Sequence, residues 1–201
     1  LWLFGGSGYD SAGTNGYLND LWRYEPSSGN WTWMKGAATV NQVGIYGTQG
    51  TPDPTNTPGA RERAVSWADT SGALWLFGGF GYDATGSFGQ LNDLWKYDPD
   101  TGNWTWMKGS SIRNQSGTCG TQGALDAANT PGARREAVSW TDESGWFWLF
   151  GGAGYDCGGY STTLGDLWVY APTAPEAPSA PSATADSTTA ITWGWTDNST
   201  D

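Results

Sequence analysis

Leu1-Trp2-Leu3-Phe4-Gly5-Gly6 opens the chain, returns unchanged at residues 74–79, and reappears as Phe147-Trp148-Leu149-Phe150-Gly151-Gly152, an offset of 73 residues each time. The likeness extends outward from this hexamer. Residues 1–67 laid over 74–140 need no gap, and about two-thirds of the positions are identical. The shared blocks include Leu18-Asn19-Asp20-Leu21-Trp22 with 91–95, Asn30-Trp31-Thr32-Trp33-Met34-Lys35-Gly36 with 103–109, and Pro58-Gly59-Ala60-Arg61 with 131–134. A fixed period of this kind marks a repeat architecture, in which each unit buries its apolar faces against its neighbours.

One period reads as four short strands, each aromatic or β-branched and bounded by Gly, Pro, Asn or Asp. They are a (Arg134 to Trp140), b (Trp146 to Phe150), c (Leu91 to Tyr97) and d (Asn103 to Met107). The a–b and c–d links, Ala68-Asp69-Thr70-Ser71-Gly72 and Asp98-Pro99-Asp100-Thr101-Gly102, carry the residues that tight turns select. The b–c link is expected to span residues 80–90 and the d–a link 109–132. Alternating strand directions put these two longer links on one side and the tight turns on the other.

Composition narrows the function. The chain of 201 residues has no histidine, which excludes an imidazole base, a Ser/His/Asp or Cys/His nucleophile, and His-ligated zinc, copper or haem. A net charge of -11 opposes nucleic-acid binding, since a phosphate backbone needs a basic footprint. No stretch approaches the roughly 18 apolar residues that cross a bilayer, so no membrane insertion is expected. The 31 glycines and 15 tryptophans fit short strands and turns, and the fold class is all-β.

The order of apolar strand, Gly-Gly, Tyr, six residues and Trp (Gly5-Gly6, Tyr24, Trp31; Gly78-Gly79, Tyr97, Trp104) resembles the kelch repeat. The resemblance covers residues 1–170 and implies a kelch-type β-propeller, of the kind found in the central domain of galactose oxidase, with one repeat to a blade. The copper chemistry of that enzyme needs histidine ligands that are absent here, so no cofactor and no resident metal is expected. In such a blade Gly-Gly would sit where a Cβ collides, and Trp2, Trp22, Trp31, Trp75, Trp95, Trp104, Trp148 and Trp168 would fill the space between blades.

The count of strands comes to about two and a half four-stranded blades, whereas propellers close with roughly 4–8. Upstream blades of the same chain are therefore expected to close the ring, with assembly of several copies as the alternative. The last blade lacks strand d. Residues 171–182, rich in Pro, Ala and Ser, read as a semi-rigid linker. Residues 183–201, with Ile191, Trp193 and Trp195 alternating, are similar to the start of a fibronectin type III domain.

The long-link side is the expected ligand side, because binding residues concentrate on long loops of a rigid scaffold. Its candidates are Tyr9, Asp10, Tyr82, Asp83, Tyr155 and Asp156, whose rings and carboxylates suit sugars; the alternative is that they tie the loops together. Arg61 and Arg134 open strand a, where kelch propellers use arginines for acidic groups of a ligand. Their alternative is an ion pair with Glu62, Glu136 or a neighbouring aspartate. The repeated aspartates could bind calcium, or could make Asx-turns and caps. Cys119 and Cys157 each break the repeat, replacing Tyr46 and Ala84 in neighbouring links. That pattern suggests a disulfide and an oxidising compartment, against two free thiols. The expected protein is extracellular or at the cell surface of a bacterium, a non-catalytic adhesion or binding module for a glycan or protein ligand. The rival readings are the propeller of a secreted carbohydrate-active enzyme, which needs paired carboxylates, and a structural spacer.

Overall fold

The computed structural model describes residues 1–172, 182–187 and 190–194. It is all-β. The chain divides into two units, Leu1–Tyr170 and Ala171–Asp201. The first unit holds three consecutive antiparallel sheets. Sheet 1 is β1 (Trp2–Tyr9), β2 (Asn15–Glu25) and β3 (Asn30–Lys35). Sheet 2 is β4 (Arg61–Glu62), β5 (Val65–Ala68), β6 (Leu74–Tyr82), β7 (Phe88–Asp98) and β8 (Asn103–Lys108), with β4 and β5 both on β6. Sheet 3 repeats this with β9 (Arg134–Arg135), β10 (Val138–Thr141), β11 (Phe147–Tyr155) and β12 (Ser161–Tyr170). The second unit contains a backbone hairpin of β13 (Ser182–Ser187) and β14 (Ala190–Gly194). Most of the linker read at 171–182, and Trp195, lie outside the described residues.

Two strand boundaries differ from the sequence reading, for one reason. Gly-Gly does not end strand b. Gly78 and Gly79 take positive φ (63° and 97°) and form a bulge, after which β6 resumes to Tyr82 and pairs with β7 through Tyr82↔Phe88. The link between β6 and β7 is thus only residues 83–87. Opposite the bulge, strand a breaks as well: Arg63 (φ 57°) separates β4 from β5, and Glu136 (φ 58°) separates β9 from β10.

The glycines of the bulge also set the approach of one sheet to the next. A Cβ on Gly5 would stand 2.8 Å from the Arg61 carbonyl oxygen of sheet 2, and one on Gly78 would stand 2.8 Å from that of Arg134 in sheet 3. The repeated hexamer therefore supplies both the strand and the flat spot on which its neighbour rests.

Sheet 2 is apolar on both faces because it is packed on both. Toward sheet 3, Val65, Trp67, Trp75, Phe77 and Leu94 meet Phe147 and Leu149. Toward sheet 1, Leu76, Trp95, Tyr97 and Trp104 meet Leu21, Trp2 and Phe4. Trp104 is 2% exposed, whereas its counterpart Trp31, on the outward face of sheet 1, is 47% exposed. The tryptophan positions are equivalent by repeat, and burial follows only where a described sheet lies across from them.

Candidate functional site

Each sheet ends its β-hairpin, on the same side of the unit, in an aspartate that organises the turn. Asp10 Oδ1 accepts the backbone N–H groups of Ala12 and Thr14, and its Oδ2 accepts that of Val40. Asp83 Oδ1 accepts from Thr85 and Ser87, and its Oδ2 from the Arg113 N–H at 3.1 Å. Asp156 Oδ1 accepts from Gly158 and Tyr160. These carboxylates close Asx-turns, and the first two also pin the long segment that follows the same sheet. Asn41 and Asn114 add a second tie, accepting from the Tyr17 and Gln90 N–H groups. The loop-tying alternative thus describes Asp10 and Asp83, whose carboxylate oxygens are both engaged, while Asp156 closes its own turn through Oδ1. Among the described residues no group of three or more His, Cys, Asp or Glu side chains converges to hold a metal ion.

Burial would raise the Asp83 carboxyl, but its hydrogen bonds from Thr85, Arg113 and Ser87 outweigh that and hold it below the ordinary carboxylate range. A carboxyl lowered by folding stabilises above its unfolded pKa of about 3.9, and that contribution is lost as pH falls through the lower folded value. Between pH 7 and pH 3, Asp83→Asn is therefore expected to lose less stability than the parent, read as the shift of the urea midpoint. Equal shifts would show that the Asp83 bonds do not distinguish the folded state.

Arg61 and Arg134 are buried, and their guanidinium groups are spoken for. Arg61 grips Asp93 through Nη1–Oδ1 and Nη2–Oδ2, both 2.7 Å, and donates further to Gly78 O and Gly59 O. Arg134 does the same with Asp166, Gly151 O and Gly132 O. The geometry is the ion-pair alternative, with the partner drawn from the Asp-Leu-Trp block and not from Glu62 or Glu136. Asp93 also takes the Trp95 indole N–H at 2.7 Å and the Tyr46 hydroxyl at 2.7 Å, so it is no Asx-turn residue. Burial, with the charge of Asp93 beside it, pushes the Tyr46 phenol well above its ordinary value, which keeps it a donor.

What remains open on this side is aromatic. Tyr17 of sheet 1 lies 4.5 Å from Phe88 and 6.4 Å from Tyr82 of sheet 2, ring centre to ring centre. Phe88 touches Phe80 at 4.6 Å, and the Arg135 guanidinium of sheet 3 lies 4.6 Å over Phe80. All five are half-buried, so each shows part of a face or an edge to solvent. The platform crosses all three sheets. Tyr82 belongs to it, Tyr9 and Tyr160 stand at the hairpin tips, 73% exposed each, and Tyr155 makes no ring contact among the described residues. Sequence reading missed Phe80, because it sits one residue past Gly-Gly, where the strand was taken to have ended. Arg135, next to Arg134 at the start of strand a, stands where the preceding repeat has Glu62.

Cys119 and Cys157 are joined in a disulfide, with Cα atoms 5.8 Å apart. It links the long segment entering sheet 3 to the β11–β12 turn. No helix among the described residues is long and apolar enough to cross a membrane.

No family model matches the chain, and no curated protein does. A solved structure of YjhT is similar over 86% of this chain and 48% of its own, with 16% sequence identity and a TM-score of 0.47. The chain spans about half the length of that structure.

Proposed function

We propose that residues 1–170 are part of a kelch-type β-propeller that works outside the cell as a non-catalytic binding module, with a glycan held on the aromatic platform of the long-link side. The observation that carries this reading is the cluster in which Tyr17, Tyr82 and Phe80 each pack on Phe88, with Arg135 over Phe80, half-buried side chains drawn from three sheets. Sugar C–H faces stack on such rings while a guanidinium orients hydroxyl or carboxylate groups. The three like sheets packed face to face support the propeller, and the disulfide supports an oxidising compartment. A glycoside hydrolase would need one carboxyl raised to act as acid. Asp10, Asp83 and Asp166 are instead held below the ordinary carboxylate range by the hydrogen bonds they accept.

A glycan array probed with the chain and with its Tyr17→Ala/Tyr82→Ala variant tests the reading. Selective binding that falls at least about tenfold in the folded variant is expected. Binding unaffected by the double substitution, or absent from a folded protein, moves the site off the platform and favours a protein partner or a spacer role.

A further inference from the structure

Residues 1–67 and 74–140 differ at about one position in three, and five of those differences turn an apolar residue into Ser or Thr. One is Thr85 for Ala12, in the β6–β7 turn. The other four are Ser110 for Ala37, Ser111 for Ala38, Ser116 for Val43 and Thr118 for Ile45, all within the nine residues 110–118 that follow β8. These four line a single cavity of about 580 Å³, formed by the end of β8 and the segment that leads to β9. Unselected surface changes would scatter over the repeat, whereas these collect at one cavity.

The rest of the lining shows what the hydroxyls accompany. Trp106 and Lys108 come from β8, and the first repeat has the same residues as Trp33 and Lys35. The Trp106 indole N–H donates to Lys108 O at 2.9 Å, and Lys108 Nζ donates to Ala127 O, which ties strand and segment together. Ala127 and Ala128, also in the lining, stand where the first repeat has the larger Pro54 and Thr55. The cavity thus gains hydroxyls at four positions and room at two. Of the four hydroxyls, only that of Ser110 is engaged among the described residues, accepting the Ile112 N–H at 3.0 Å. Those of Ser111, Ser116 and Thr118 bond no described residue.

The segment that carries them is fixed in place. Ser116 and Thr118 flank Gly117, whose N–H donates to Asp156 O at 3.2 Å, and a Cβ on Gly117 would stand 2.9 Å from Cys157 Sγ. The next residue, Cys119, carries the disulfide, while Thr118 is bridged to Thr130. The cysteine pair and the hydroxyls, all departures from the first repeat, therefore meet in one place. A segment already ordered pays little conformational entropy when a ligand arrives.

The chemistry of the lining selects the ligand. It contains no Asp or Glu to hold a metal cation, and its one cationic side chain donates to a carbonyl. Hydroxyls and the carboxamides of Gln49 and Gln115 both donate and accept, as a polyol requires, and the Trp106 ring suits C–H groups. The volume falls in the range of small-molecule sites, about 300–1,000 Å³. We propose that this cavity binds a neutral polyhydroxylated molecule of mono- to disaccharide size, with Ser111, Ser116 and Thr118 recognising its hydroxyls. The cavity shares no lining residue with the aromatic platform, so neither reading rests on the other.

The test is saturation-transfer NMR of the chain of residues 1–201 with glucose, galactose, mannose, N-acetylglucosamine, lactose and cellobiose as probes. A restored variant carries the residues of the first repeat, Ser110→Ala, Ser111→Ala, Ser116→Val and Thr118→Ile. At least one probe is expected to saturate with a Kd below about 10 mM, and the restored variant to bind it at least about tenfold more weakly. Tyr17→Ala/Tyr82→Ala is expected to bind that probe as the parent does. Since three of the four hydroxyls bond no described residue, the restored variant is expected to unfold within about 2 °C of the parent. No saturation by any probe up to about 50 mM, or equal binding by the restored variant, overturns the proposal. A probe that the platform variant loses and the restored variant keeps also overturns it, and leaves the glycan reading standing. A fall in unfolding temperature of more than about 5 °C in the restored variant makes the hydroxyls structural, and overturns it as well.

Discussion

Arg61→Ala is expected to lower stability by about 3–5 kcal/mol, because it strands the Asp93 carboxylate in the core with one cation fewer than the fold requires. Both side chains of the pair are fully buried, and the remaining donors to Asp93, the Trp95 indole and the Tyr46 hydroxyl, are neutral. For a unit of this size the loss corresponds to a fall in unfolding temperature on the order of 10 °C. Arg134→Ala provides the internal comparison. Its partner Asp166 is 34% exposed, so water compensates part of the lost charge and the fall is expected to be smaller. Arg61→Lys is expected to recover only part of the loss, since an ammonium cannot bond both carboxylate oxygens and two carbonyls in one plane. Thermal unfolding of the three variants decides the matter, and equal midpoints for Arg61→Ala and Arg134→Ala would refute the account by burial.

The second large effect is expected from the disulfide. The bond spans 38 residues, and closing a loop of that size restricts the unfolded chain by about 3–4 kcal/mol. Sheet 2 shows what it replaces. There the equivalent segment is held by Tyr46, whose ring packs 4.8 Å from Trp95 and 5.2 Å from Trp106 while its hydroxyl bonds Asp93. Cys119 occupies that position before sheet 3, where no strand equivalent to β8 offers a second ring among the described residues. A covalent tie substitutes for a packing tie. Calorimetry of the Cys119→Ser/Cys157→Ser variant, or of the parent with reductant, is expected to show a midpoint lower by about 10 °C. A midpoint unchanged by reduction would mean that Asn114, Asp83 and the backbone bonds hold the segment unaided.

Much of the scaffold was legible because the chain says it three times. The 73-residue offset, the Asp-rich turn blocks and the Leu-Asn-Asp-Leu-Trp block located the strands of all three sheets, and the two cysteines stood out as departures from the repeat. The candidate site was legible only in part. Tyr82 lies in the aromatic cluster, while Asp10, Asp83, Arg61 and Arg134 are engaged in bonds that close turns, tie the long segments to their hairpins and join strands within one sheet. Residue type does not reveal whether a carboxylate is already engaged beyond its own turn, because the Arg113 N–H on Asp83 and the Arg61 guanidinium on Asp93 come from 30 and 32 residues away in the sequence.

By itself the sequence determined an all-β chain of repeated aromatic strands, without histidine, acidic, and interrupted by one pair of cysteines. It determined this because strand propensity, turn chemistry and periodicity are local properties, readable within a few residues. The tertiary structure decided which equivalent tryptophans are buried, which aspartates take an arginine, and where the aromatic rings of sheets 1 and 2 meet. Those outcomes depend on what lies across from a side chain, and identical blocks such as Trp31 and Trp104 therefore differ in burial although their sequences do not.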